Sequence, residues 1–113
     1  MKKVFISGPI SGLPYVDVKK TFAVAEGVWR NRLWRKYRVA NPTTLCSANW
    51  SWWRCMAVCL WHLIWCSHIY MLLGWQNSRG ARIEHRLARA LHKKVIYQKL
   101  PLWRGQPIPT RKS

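Results

Sequence analysis

The chain has 113 residues and a formal net charge of +17, and 50% of its residues are hydrophobic. This length allows one domain with a real core and leaves no room for a second. The apolar content excludes a disordered chain. The excess of cations predicts attraction to phosphates, nucleic acid or an anionic membrane surface. Because basic residues are spread through the chain, they indicate a basic surface all round rather than a separate basic arm.

The first half of the chain alternates between strand and helix signals. Residues 3–7 are a short apolar run that predicts a buried strand, and the Gly/Pro-containing segment 8–14 predicts a loop leaving it. Asp17 is placed to cap a helix over 18–35, where apolar residues repeat at helical spacing. A second strand is predicted over 37–40, closed by the turn signal Asn-Pro-Thr-Thr.

The second half continues this alternation. The predicted elements are, in order, a helix over 51–65, a strand over 68–72, a loop over 74–80, a helix over 81–91 and a strand over 94–97. Ser51 is placed to cap the first of these helices. Residues 99–113 follow as a proline-containing basic tail, which we separate from the domain over 1–98.

This order of elements predicts an α/β fold. Strands and helices that alternate with short connections form a small flavodoxin/Rossmann-like three-layer sandwich with a mainly parallel sheet. Ligands of such folds bind beyond the carboxyl ends of the strands. The loops over 8–14 and 74–80 are both expected at that edge.

The segment from Cys55 to Ser78 contains no Lys, Arg, Asp or Glu and is long enough to span a bilayer. It also contains two histidines and other polar residues, and basic residues flank both of its ends, so we expect no membrane span. No secretory signal follows Met1, because only about four apolar residues precede Ser7. We therefore expect a cytoplasmic protein with reduced cysteines.

The cysteines bear on metal binding, and the tryptophans bear on the protein surface. Cys55, Cys59 and His62 share a helical face that could offer metal ligands, but without a CxxC pair we favour core packing and expect no metal. The 9 tryptophans cannot all lie in the core of so small a domain. Some are expected on the surface or at an interface, where aromatic residues among cations also suit stacking on single-stranded nucleic acid.

Glu84 is one of 3 acidic residues and the only one after Glu26. A carboxylate early in a helix that follows a Gly-containing loop can serve as a nucleophile or base. It can equally complement the helix dipole and pair with arginines of its own helix, at positions 82, 86 and 89. The local sequence leaves both interpretations open.

Three segments together resemble the nucleoside 2-deoxyribosyltransferase-like superfamily. They are Lys-Val-Phe-Ile-Ser-Gly-Pro-Ile-Ser-Gly at 3–12, Asn41-Pro42, and Gly-Trp-Gln-Asn-Ser-Arg-Gly-Ala-Arg-Ile-Glu-His at 74–85. The most similar branch consists of small bacterial and phage proteins, most of them uncharacterised. The resemblance covers residues 2–97.

The resemblance implies a reaction and a set of site residues. A glutamate, here Glu84, attacks the anomeric carbon of a nucleoside or nucleotide, and water or a second base completes the reaction. The substrate- and phosphate-binding residues would be Gly8, Ile10, Ser11, Gly12, Ser78 and Gly80, with Ser78 holding a 5′-phosphate. We expect no cofactor. Superfamily members are usually dimers or larger, so we expect a homo-oligomer.

The chain departs from the superfamily pattern at the residues that support catalysis. Cys59 stands where an acid usually precedes a leucine, Cys66 to His68 replace a second acid, and Phe5 replaces a tyrosine. Activity is therefore expected to be weak or lost, unless a histidine at 62, 68 or 85 donates the proton. We also expect the surrounding cations to lower the pKa of Glu84. The alternative is a non-catalytic protein that binds a nucleotide or, without sequence preference, nucleic acid.

Overall fold

Four parallel strands form the centre of the fold, in the order β2-β1-β3-β4. The structure, a computed structural model, describes residues 2–9, 15–31, 37–46, 51–104 and 106. The strands are β1 (Lys3–Ser7), β2 (Arg38–Ala40), β3 (His68–Met71) and β4 (Lys94–Tyr97). The helices are α1 (Tyr15–Arg30), α2 (Pro42–Leu45), α3 (Trp52–Ile64) and α4 (Arg79–Ala90), with a 3₁₀ turn at Trp75–Asn77 before α4.

Helices cover both faces of the sheet. Phe5 belongs to a core cluster with residues of α3 and α4, whereas its neighbour Ile6 belongs to a second cluster with residues of α1. Successive strand residues point to opposite faces, so an apolar strand without alternation needs a helical layer on each side. The expected α/β three-layer sandwich with a flavodoxin/Rossmann-like parallel sheet is confirmed.

Most predicted elements are present, although α1 and α4 begin two or three residues earlier than predicted, at Tyr15 and Arg79. Ser51 caps α3 by accepting a hydrogen bond from the backbone N–H of Arg54, as predicted. Asp17 lies inside the first turn of α1 instead of capping it, because the helix begins at Tyr15. The predicted turn after β2 is the short helix α2, with Asn41 as its cap and a proline in its first turn.

The long uncharged segment is divided between two elements and does not form one helix. Its first part lies in α3, and its second part contains β3, which pairs with β1 on one side and β4 on the other. No helix in the described parts of the chain combines the length and the apolar character needed to cross a membrane.

The tryptophans are divided between the core and the surface, as expected. Trp29 is only 2% exposed, whereas Trp53, Trp61 and Trp65 at the outer side of α3 are 61–71% exposed. Trp34 and Trp50 lie outside the described residues. The first part of the tail packs on the domain, since Trp103 Nε1 donates a hydrogen bond to Thr21 Oγ1 at 2.9 Å.

Gly8 follows β1 at a point where the neighbouring chain after β3 leaves no space for a side chain. A Cβ atom at this position would lie 2.7 Å from Cβ of Leu72. We predict that Gly8→Ala lowers the free energy of unfolding by about 1–3 kcal/mol, because the contact forces the backbone apart. Denaturant titration measures this change.

Gly27→Ala is the matched control for that experiment. Gly27 lies in α1, and a Cβ atom there would have no neighbour within 4 Å. Since alanine favours a helix over glycine by about 1 kcal/mol, Gly27→Ala should stabilise the protein. Equal effects of both substitutions would contradict the close approach at Gly8.

Candidate functional site

Helix α4 places Glu84 inside the protein. The buried residues of the helix are spaced at helical intervals and include Ala81, Glu84 and Ala88. Glu84 is 5% exposed, and its Oε1 accepts a hydrogen bond from Ser7 Oγ at 2.8 Å. The alternative of a surface carboxylate paired with arginines of its own helix is therefore wrong, because those arginines lie on the exposed side of α4.

Burial decides the protonation of Glu84. Removal from water raises the pKa of its carboxyl group to about 8, and the hydrogen bond from Ser7 opposes this rise only in part. The expectation that nearby cations lower the pKa is wrong. The arginines at 82, 86 and 89 are solvated on the opposite side of the helix, where they compensate little of the desolvation.

A cavity of about 110 Å³ brings Glu84 together with other residues that the sequence singled out. Gly8, Ser78 and Gly80 line the same cavity as Glu84. Gly8 and Pro42, which follow β1 and β2, line it together with the start of α4. It therefore lies beyond the carboxyl ends of the strands, where ligands of this fold usually bind. Ile10, Ser11 and Gly12 lie outside the described residues.

The three lining residues also have structural roles. Ser78 caps α4 by accepting a hydrogen bond from the backbone N–H of Ala81 at 3.4 Å. Gly80 lets α4 approach α3, since a Cβ atom there would lie 3.0 Å from Sδ of Met56.

The cavity volume is below the roughly 300–1,000 Å³ of ordinary ligand sites, so the cavity suits a sugar ring better than a whole nucleotide.

Ser7 is a site residue that the sequence analysis missed. The resemblance drew attention to Phe5, which is fully buried in the core cluster and has no hydroxyl group. Ser7 lies two positions further along β1, on the same face of the sheet, and supplies the hydroxyl contact to Glu84. The available signal was a polar residue directly after the apolar residues 4–6 of β1 and directly before Gly8.

Cys59 occupies the place where the resemblance implies an acid, and it lines the cavity. Burial, and then the charge of Glu84, raise the pKa of the Cys59 thiol to about 12. The group is therefore a neutral thiol at ordinary pH and a poor proton donor to a leaving base.

The histidines considered as substitutes lie away from the described lining of the cavity. His85 points to the other side of α4, where its Nε2 is hydrogen-bonded to Tyr97 Oη at 2.8 Å. His68 Nδ1 is hydrogen-bonded to Ser67 Oγ at 2.7 Å. His62 lies on α3, where burial and then the charge of Lys3 lower its pKa.

The cysteines contradict the expectation of reduced thiols. Cys46 and Cys55 form a disulfide, and their Cα atoms are 5.6 Å apart, which lies within the usual bridging range. Helix α2, which was not predicted, brings Cys46 against α3. Cys59 and Cys66 are free and buried.

The exposed side of α4 forms a strongly basic groove of about 810 Å³. Its lining includes the arginines at 79, 82, 86 and 89, and we refer to it as the arginine groove. Trp75 and His85 stack in it, with ring centroids 4.2 Å apart. No carboxylate is found among the described residues that line it.

The sheet, the buried carboxyl group and the adjoining cavity belong to a recognised domain. The family described as a domain of unknown function, DUF4406, matches residues 2–97. The chain belongs to this family. No curated protein matches it. The match covers every strand and helix of the fold, and the residues that line both the cavity and the arginine groove.

The buried carboxyl group predicts a pH dependence of stability. In the folded protein the pKa of Glu84 is about 8, against an ordinary value of 4.5. The folded state therefore holds the proton more tightly, so the stabilisation is complete below pH 4.5 and is lost as pH rises towards 8. The free energy of unfolding should therefore fall by an amount on the order of a few kcal/mol between pH 5 and pH 9. We expect Glu84→Gln to abolish this fall, and denaturant titrations across this pH range measure it.

Glu26→Gln is the control, because Glu26 forms an ion pair with Arg30 within α1 and is not part of the cavity. It should retain the pH dependence of the unsubstituted protein. Ser7→Ala should shift the loss of stability to higher pH, since the hydrogen bond from Ser7 holds the pKa of Glu84 down. A pH profile of Glu84→Gln parallel to that of the unsubstituted protein would contradict the assignment.

Proposed function

We propose that the protein cleaves the N-glycosidic bond of nucleosides or nucleotides, or transfers the deoxyribosyl group to a second base, with Glu84 as the nucleophile. The observation that supports this most directly is a buried carboxyl group beside Ser78 and two glycines, in a cavity of sugar size at the carboxyl ends of the strands. The motif resemblance to nucleoside 2-deoxyribosyltransferases supplies the reaction type.

In the proposed reaction the Glu84 carboxylate attacks the anomeric carbon of the sugar. The bond between that carbon and the base nitrogen breaks through an oxocarbenium-like transition state, and its electron pair leaves with the base. A glycosyl ester of Glu84 results. Attack by water on the same carbon then releases the free sugar, and attack by a second base releases a new nucleoside. Either attack breaks the ester bond and restores the carboxylate, and the proton of the attacking group passes to solvent.

The surroundings of Glu84 restrict the rate of this reaction. Only the ionised carboxylate attacks, and with a pKa of about 8 it is mostly protonated at pH 7. Among the described residues that line the cavity, the Cys59 thiol holds its proton too tightly to protonate the leaving base, so we expect that proton to come from solvent. Absence of a positioned general acid costs about two to four orders of magnitude, so slow turnover is expected.

Release of free base from deoxynucleosides and their 5′-monophosphates, measured by chromatography, tests the proposal. The rate should rise about tenfold between pH 7 and pH 9 as the Glu84 carboxyl group ionises. Glu84→Gln should reduce release to the uncatalysed level, whereas Glu26→Gln should not. Equal release by Glu84→Gln and the unsubstituted protein, or none by either, would overturn the proposal.

The phosphate-binding role of Ser78 is tested in the same assay. Ser78→Thr keeps both a hydroxyl group and a helix cap, whereas Ser78→Ala removes both. We expect Ser78→Ala to raise KM for a 5′-monophosphate about tenfold and to change KM for the corresponding nucleoside little. Equal changes for the two substrates would assign Ser78 to helix capping alone.

The arginine groove favours a second candidate function, the binding of single-stranded nucleic acid without turnover. Cations along one side of α4 match the repeated charges of a phosphate backbone. The half-buried ring of Trp75, which packs against the buried His85, offers an aromatic surface to bases in the same groove. This function needs neither Glu84 nor the cavity.

Fluorescence anisotropy with a labelled single-stranded oligonucleotide tests this candidate across a series of salt concentrations. Gln in place of Arg82, Arg86 and Arg89 should lower the slope of log affinity against log salt by about 2, at roughly 0.7 per phosphate contact. A control with Gln in place of Lys19, Arg38 and Lys99 removes the same charge from exposed positions elsewhere. Equal slope changes in both variants would contradict binding at the arginine groove. Glu84→Gln should leave both the affinity and its salt dependence unchanged.

A further inference from the structure

Three cysteines lie together at one side of the Glu84 cavity. Cys46 follows α2, and Cys55 and Cys59 lie one turn apart on α3. The Sγ atom of Cys59 is 3.8 Å from that of Cys46 and 3.9 Å from that of Cys55. All three sulfur atoms lie within 4.8 Å of one another, and we refer to them as the cysteine triad.

These separations match those of thiolate ligands around a tetrahedral metal ion. Zinc–sulfur bonds of about 2.3 Å at tetrahedral angles place the sulfur atoms about 3.8 Å apart. The two distances from Cys59 already have this value, and the third pair of sulfur atoms is held in the disulfide. We propose that the reduced chain binds Zn²⁺ through the thiolates of Cys46, Cys55 and Cys59, and that the disulfide closes this site.

The position of Cys59 favours coordination over exchange with the disulfide. Thiol–disulfide exchange proceeds by attack of a thiolate on one of the two sulfur atoms, which requires an approach along the sulfur–sulfur axis. Cys59 Sγ is almost equally distant from both sulfur atoms and therefore lies beside the bond. Three ligands of one metal ion lie at the corners of such a triangle, so the geometry suits coordination.

Opening the site requires two electrons, which a thiol reductant can supply. One reductant thiolate attacks the disulfide and forms a mixed disulfide, and a second displaces the protein cysteine, leaving two protein thiols and the oxidised reductant. Zn²⁺ then replaces the protons of the three thiols, which pass to the buffer. Since Cys55 and Cys59 also line the cavity, the bound ion would border it.

The site differs from the metal site that the sequence could offer. His62 shares a helical face with Cys55 and Cys59 but is not part of the triad, and Cys46 takes its place. Cys46 contributes only because α2 turns the chain back against α3. Three protein ligands leave one position of a tetrahedral ion for water.

Zinc content per chain tests the proposal in the full-length protein. The protein is reduced with a thiol, freed of reductant by anaerobic desalting, incubated with Zn²⁺ and desalted again. We expect one tightly bound zinc in the reduced protein and none in the oxidised protein. Co²⁺ in place of Zn²⁺ should give a sulfur-to-metal charge-transfer absorption, which identifies thiolate ligands directly.

Cys59→Ser should weaken zinc binding at least tenfold, because loss of a ligand should cost no less than loss of a residue that orients one, about 10–100-fold. Cys66→Ser is the matched control, because Cys66 is a free, buried cysteine outside the triad. Far-ultraviolet circular dichroism checks that both variants fold. If Cys59→Ser does not fold, the Co²⁺ absorption of the unsubstituted protein is compared in its reduced and oxidised forms. Charge-transfer absorption in the reduced form alone would then support the site, and equal absorption in both forms would contradict it.

Equal zinc content in the reduced and oxidised proteins would overturn the proposal, as would equal losses in Cys59→Ser and Cys66→Ser. The measurement involves no nucleoside or nucleotide. Its outcome is therefore independent of whether the protein cleaves a glycosidic bond.

Discussion

The hydrogen bond between Ser7 and Glu84 joins the central strand of the sheet to helix α4 and holds a carboxyl group inside the protein. Burial of this group sets its pKa, and its position beside Gly8 and Ser78 defines the cavity. An unpaired buried carboxylate costs several kcal/mol, so the group stays protonated until pH approaches its raised pKa. Burial of this carboxyl group at the carboxyl ends of the strands therefore lowers the stability of the chain at high pH.

Helix α4 has two chemically different sides because its period is 3.6 residues. Glu84 lies on the side that packs on the sheet, whereas Arg82, Arg86 and Arg89 lie in the groove on the exposed side. The helix therefore separates the carboxyl group from the cations that surround it in sequence. The catalysis proposed at the cavity and the nucleic-acid binding proposed at the groove can consequently be tested by separate substitutions, although one helix supplies both sets of residues.

The cavity is bordered by sulfur where the resemblance implies an acid. Cys59 offers no charge and no mobile proton at ordinary pH, which weakens the proposed glycosidic chemistry. The same sulfur atom lies within 4 Å of two others, an arrangement suited to a thiophilic ion. The position at which the resemblance implies an acid is therefore the position that supplies the third sulfur atom of the cysteine triad.

The sequence by itself determined the alternation of strands and helices, the parallel three-layer fold and the segment that contains Glu84. These features depend on local signals, such as apolar runs, helical spacing and the cap Ser51. Only the tertiary structure decided that Glu84 contacts Ser7, which is 77 residues away, and that Cys46 pairs with Cys55. Such contacts, and the burial that raises the pKa of Glu84, depend on how distant elements pack together, which local sequence patterns do not specify.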